Sequence, residues 1–155
     1  MISLICEKYG ITNYTINPDG SIDVDGDVDL SFNDLTELPL RFNKVSGYFR
    51  CHNNRLTSLK GCPRWVGGYF NCNYNRLPSL EFSPEYVSDD FNCSYNKYLT
   101  NNYCDTEISG YFYTSLKQSG LILDKFNRAT NYNEWRKIYK RKLILDEISK
   151  IYNEK

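Results

Sequence analysis

SGYFRCHNNRLTSLKGCPRWV, residues 46–66, runs straight into GGYFNCNYNRLPSLEFSPEYV, residues 67–87, and the two align position for position. Working outward, DGDVDLSFNDLTELPLRFNKV (25–45) precedes them and SDDFNCSYNKYLTNNYCDTEI (88–108) follows. A partial fifth copy, SGYFYTSLKQSG, starts at Ser109. The period is 21 residues throughout, with no insertion. A unit this short cannot enclose its own apolar side chains, so successive copies must stack and share one continuous core.

With each block numbered from its first residue, position four is Val28, Phe49, Phe70, Phe91 and Phe112, and position six is Leu30, Cys51, Cys72, Cys93 and Thr114. Two inward residues spaced by two have the period of a strand with one buried face. Leu35, Leu56, Leu77 and Tyr98 at position eleven add apolar content, as do Leu38, Leu59 and Leu80 at fourteen. Val45, Val66, Val87 and Ile108 close each block at position twenty-one. Each block is therefore expected to give one short strand and a long, mostly non-helical return. Position nine is Asn33, Asn54, Asn75 and Asn96. An asparagine column amid apolar neighbours predicts a buried ladder that satisfies backbone groups where the chain leaves the strand.

FRCHNNRL, FNCNYNRL and, more loosely, VDLSFNDL resemble the core of the leucine-rich repeat, L-x-x-L-x-L-x-x-N/C-x-L. The resemblance covers residues 25–119, about three fifths of the chain. Phenylalanine and cysteine stand where the two strand leucines would be, and Asp25, Ser46, Gly67 and Ser88 replace the first leucine. The GYFxCxxNxLxSLxGCP style is similar to short 21-residue-repeat proteins encoded by bacteriophages, and the richness in Asn, Tyr, Lys and Ile suits an AT-rich genome. The fold expected is an α+β solenoid: a leucine-rich-repeat stack of parallel strands with an N-terminal helix or hairpin cap and a C-terminal helix.

The ends of such a stack need covering. Ser3 to Tyr9 reads as a short helix or extended cap. Tyr14 to Val24 reads as a hairpin about Asn17-Pro18-Asp19-Gly20 that feeds its second strand into the stack. Decay in the fourth and fifth copies, with Tyr98 and Asn101 in leucine positions and Lys117 in the asparagine column, marks the far end. Beyond it, Asn133 to Tyr152 has apolar residues at roughly helical spacing, with Asn131 or Asn133 as N-cap. This helix is expected to fold against the last repeat, its rival being a protruding helix that binds a partner or dimerises. The single domain thus divides into a cap (1–24), repeats (25–119) and a helical cap (120–155).

Residues 1–119 hold 10 basic and 14 acidic side chains, and residues 120–155 hold 9 and 5, so net charges of −4 and +4 are segregated along a neutral chain. WRKIYKRK, Trp135 to Lys142, makes the helix basic, and this supports an alternative reading as a nucleic-acid-binding accessory protein. No apolar run approaches membrane-spanning length, and the first residues lack the charge and length of a secretory signal. A reducing compartment, the cytoplasm, is expected, and the host cytoplasm if the protein is viral.

Of six cysteines, Cys51, Cys72 and Cys93 belong to the inward column, where cysteine acts as a small hydrophobe beside the phenylalanines. Cys62 and Cys104 fall at position seventeen, no CxxC occurs and His52 is the sole histidine. Neither structural zinc nor any cofactor is implied. Asp19, Asp23, Asp25 and Asp27 do not fit the spacing of a calcium loop.

Function is expected on the strand side chains opposite Phe and Cys. These are Tyr48, Tyr69, Asp90 and Tyr111 at position three; Arg50, Asn71, Asn92 and Tyr113 at five; His52 and Asn73 at seven; and Tyr74 and Tyr95 at eight. Tyrosine and arginine combine apolar area with hydrogen-bonding ends and suit a protein-binding face. A second stripe at position ten, Asp34, Arg55, Arg76 and Lys97, needs compensation from acids such as Glu37, Glu81 and Glu85, or from a partner. Asp27 and Asp29 are the nearest carboxylate pair, so a small hydrolase is a further, weaker alternative. The leading reading is a non-enzymatic protein-binding module, monomer or homodimer. The bacteriophage resemblance implies that it binds and inhibits a host protein, such as a defence enzyme.

Overall fold

Each 21-residue block closes one coil of a β-solenoid, and each coil supplies two strands rather than one. The computed structural model describes residues 1–118, 120–124 and 128–153. In chain order the elements are α1 (Ile2–Lys8), β1 (Tyr14–Ile16), β2 (Ile22–Val24), β3 (Val28–Asp29), β4 (Phe42–Val45), β5 (Phe49–Arg50) and β6 (Trp65–Val66). They continue with β7 (Phe70–Asn71), β8 (Tyr86–Val87), β9 (Phe91–Asn92), β10 (Glu107–Ile108), β11 (Phe112–Tyr113), β12 (Arg128–Ala129) and α2 (Tyr132–Asn153). One sheet has the order β12-β11-β9-β7-β5-β3 and the other β1-β2-β4-β6-β8-β10. Strand partners from successive coils are parallel, with Val28, Phe49, Phe70, Phe91 and Phe112 in register on one side. Val24, Val45, Val66, Val87 and Ile108 are in register on the other.

The second sheet was not expected. Its repeat strands β6, β8 and β10 are two residues long, with only position twenty-one buried. Two residues carry no alternation to read, so a single valine per coil was the whole signal.

Between the sheets the phenylalanines form a continuous column with ring centroids 5.8, 4.9 and 5.3 Å apart from Phe49 to Phe112. Tyr132 of α2 stacks 3.9 Å beyond Phe112 and is the last rung. Burying each ring stabilises by roughly 1.5–3 kcal/mol relative to exposure. All six cysteines are buried free thiols. Burial pushes Cys72 and Cys62 well above the ordinary thiol value, and a hydrogen bond between the Cys62 and Cys51 thiols adds to the effect at Cys62. They are packing groups at neutral pH.

The asparagine ladder is built backwards. Asn75 Nδ2 donates to Cys51 O (2.9 Å) of the preceding coil and Cys72 O (3.2 Å) of its own, and its Oδ1 accepts from Leu56 N at 2.9 Å. Asn54 and Asn96 repeat this with Leu30 O and Leu35 N, and with Cys72 O and Leu77 N. Asn33 is the exception: it is exposed and donates only to Ser31 O, because the hairpin before it offers no equivalent groups. At the far end the column changes residue type. Tyr98 is exposed and Leu99 takes the inward place, so the fourth coil slips by one residue. Asn102, fully buried, then donates to Leu116 O and accepts from Thr114 Oγ1. Ser119, the expected end of the repeats, lies outside the described residues.

The N-terminal cap is a helix plus the anticipated hairpin, with Tyr14↔Val24 and Ile16↔Ile22 antiparallel and β2 parallel to β4. At the C-terminus the expectation holds for two turns only. Tyr132 and Trp135 are buried and Tyr139 packs on Tyr103, but every residue from Lys140 to Asn153 is exposed. Asn131 O accepts from Trp135 N as an N-cap residue does, while its side chain bonds Ile122 N and Gly120 O instead of the helix. Among the described residues no helix is long and apolar enough to cross a membrane.

Candidate functional site: an aromatic outer face

The outward side of the β3–β12 sheet gathers its aromatic side chains into pre-formed pairs. Tyr48 and Tyr69, 21 residues apart and one coil apart in space, stack with centroids at 5.1 Å and planes at 17°. The Arg50 guanidinium lies 4.2 Å from the Tyr48 ring and 5.0 Å from Tyr69, and pairs with Asp29 at 3.4 Å. Tyr74 and Tyr95 stack at 4.4 Å and 15°. Tyr111 meets Tyr113 edge-on and carries Arg128 over its ring at 4.6 Å. Seven of the expected contact residues, Tyr48, Arg50, Tyr69, Tyr74, Tyr95, Tyr111 and Tyr113, therefore fall into three clusters. Arg128, contributed by the antiparallel closing strand, lies outside the repeats and has no periodic signal.

Some expected contact residues are committed to the fold. Asn71 Oδ1 accepts from Asn73 N (3.1 Å) and Asn92 Oδ1 from Ser94 N (3.0 Å), so both turn their own strand exits. Asp90 accepts from Tyr111 N at 2.8 Å, as Asp27 does from Tyr48 N at 2.9 Å. Asp29 is held by Ser31 and Arg50. Partial burial alone would raise its carboxyl, but those hydrogen bonds outweigh it and keep the group below its ordinary value. The carboxylate pair considered for acid–base chemistry is thus tied to backbone amides and a cation. His52 is pushed below its ordinary value, first by burial, with Arg50 adding to the effect and Asp29 opposing it. Its Nδ1 and the Oδ1 of neighbouring Asn73 are buried without a hydrogen-bond partner.

Backbone strain at position eight is the feature that sequence reading missed. Phe32, Asn53, Tyr74 and Tyr95 have φ of 57°, 51°, 49° and 57°. Bulky residues rarely adopt this left-handed region, and strain of this kind persists where the surroundings enforce it, typically at functional positions. Phe32 is 74% exposed, and Tyr74 and Tyr95 about half, so the strained residues are not held there by burial of their rings. Asn53, a residue that tolerates this conformation, was the one available hint. Alongside, Arg55 pairs with Asp34 at 3.4 Å and Lys97 lies over Tyr98 at 4.8 Å. Glu85 pairs with Arg64, and among the described residues neither Glu37 nor Glu81 forms an ion pair. The position-ten stripe is therefore not compensated by the acids expected to do so, and it borders the aromatic column.

Neither models of known families, nor characterised proteins, nor solved structures match this chain.

Proposed function

We propose that this chain is a protein-binding module whose contact surface is the outer face centred on Tyr48, Arg50, Tyr69, Tyr74 and Tyr95. The observation that carries the reading is the column of exposed aromatics in strained left-handed backbone. Rigid, paired rings lose little side-chain entropy on binding, so their apolar area is available to a partner at low ordering cost. A binder with no reacting group of its own acts by covering its target. With the bacteriophage resemblance, that action fits occlusion of a host enzyme or defence protein.

The basic helix is a weaker seat for the same role. Lys140 pairs with Asp105 at 2.9 Å and Arg136 donates to Asp105 O at 3.3 Å, so two of its cations hold the helix to the last coil.

The test is capture of a host protein by tagged chain, with partners identified by mass spectrometry. Tyr74→Asn with Tyr95→Asn copies the residue that Asn53 supplies in the same column, so the unfolding midpoint should stay or rise while capture is lost. Neutralising Arg136, Lys137, Lys140 and Arg141 should leave capture intact. Capture that survives the first variant and fails with the second would transfer the site to the helix, with nucleic acid as the class to try next.

A further inference from the structure

Helix α2 has two apolar faces, and the solenoid uses only one. Tyr132, Trp135 and Tyr139 dock on the last coil. At about 100° per residue, Ile138, Ile144, Leu145, Ile148, Ile151 and Tyr152 form a stripe about 140° wide on the opposite side. These six side chains are between 44% and 76% exposed. A helix that leaves its scaffold after two turns and carries such a stripe over four more is marginal in water unless the stripe is covered.

We infer that the stripe pairs with the same stripe of a second copy, antiparallel, to make a homodimer. Residues 141, 144, 145, 148, 151 and 152 follow the a, d and e places of a heptad, the spacing of a two-helix seam. Setting Ile144 of one helix against Ile148 of the other brings Leu145 to Leu145 across the two-fold axis. The same register lays Ile151 on the stem of Arg141 and Tyr152 against Ile138. One register thus covers all six, as a self-complementary interface requires.

Charge selects the direction. Residues 136–142 hold five cations and no acid, whereas Asp146 and Glu147 lie in the following turns. A parallel pair would set five cations against five. The antiparallel pair places Arg141 within reach of the second copy's Glu147. A bilayer surface suits the stripe less well, because Lys137 and Arg141 interrupt its apolar line. At roughly 100 Å² per side chain the contact buries about 600 Å² per copy, near the lower limit for a specific dimer. Association is therefore expected at micromolar concentration.

Sedimentation of the full chain from roughly 1 to 200 μM tests this. The mass should rise from 18.2 kDa toward twice that value. Ile148→Glu should remain monomeric with an unchanged solenoid melting curve, since residue 148 is exposed and lies past the docked turns of the helix. Leu145→Cys should give an oxidised dimer and Ile151→Cys should not, because only residue 145 meets its own mate. The native thiols are all buried and leave little background. Linking through Ile151→Cys alone would mean a parallel pair and overturn the assignment. A constant monomer mass at the top concentration overturns it too, as does a monomer that sediments with phosphatidylserine-containing vesicles.

Discussion

Asn75 joins two coils through one planar amide, donating to carbonyls of both and accepting an amide of the earlier one. Removing that side chain strands buried backbone groups, so Asn75→Ala should cost roughly 1–3 kcal/mol in urea unfolding. Asn33→Ala should cost less than about 0.5 kcal/mol, since that residue is exposed in the first coil. Equal midpoints for Asn75→Ala and Asn33→Ala would reject the backward ladder. His52 gives a pH test. Its folded value lies below the ordinary 6.5, so the unfolded chain takes up the proton first as pH falls. Its contribution is complete above about 6.5 and is lost as pH drops through the folded value. The unfolding midpoint should decline between neutral pH and the carboxylate range, and His52→Gln should flatten that slope. A slope unchanged in the variant would place its origin elsewhere.

Elements were legible in proportion to how many periodic residues each contained. The β5, β7 and β9 strands were readable because Phe and Cys recur two apart in their blocks, and β11 because Phe112 keeps the same place in the period. The hairpin was readable from Asn-Pro-Asp-Gly. The repeat strands of the second sheet, β6, β8 and β10, offered one buried Val or Ile each and stayed invisible. Helix α2 was visible as a period, but spacing alone could not tell which apolar face would meet the coil. That choice depends on Tyr132 extending the phenylalanine column, a contact made across a turn with no repeat to announce it. In the candidate site the residue types were foreseeable and their commitments were not. Whether Asn71 faces a partner or closes its own turn is a matter of local backbone geometry, and so is the left-handed column at position eight.

At the scale of the molecule the constant register makes coils interchangeable parts. Deleting residues 67–87 joins Val66 to Ser88, position twenty-one to position one, and restores every strand pairing with one rung fewer. The shortened chain should fold cooperatively, with a lower midpoint and a smaller urea slope in proportion to the surface no longer buried. Deleting ten residues from the same region should abolish the fold. An unfolded 21-residue deletion would mean that the stack depends on particular neighbours and not on its period.

The backward reach of the asparagines gives the stack a direction in time. Each amide needs only the coil already made, so a chain emerging from the ribosome can close one coil whenever the next asparagine appears, without waiting for its C-terminus. Stalled nascent chains should gain protease resistance in steps 21 residues apart, as Asn54, Asn75 and Asn96 leave the exit tunnel in turn. Smooth or single-step protection would mean that the coils form together after release.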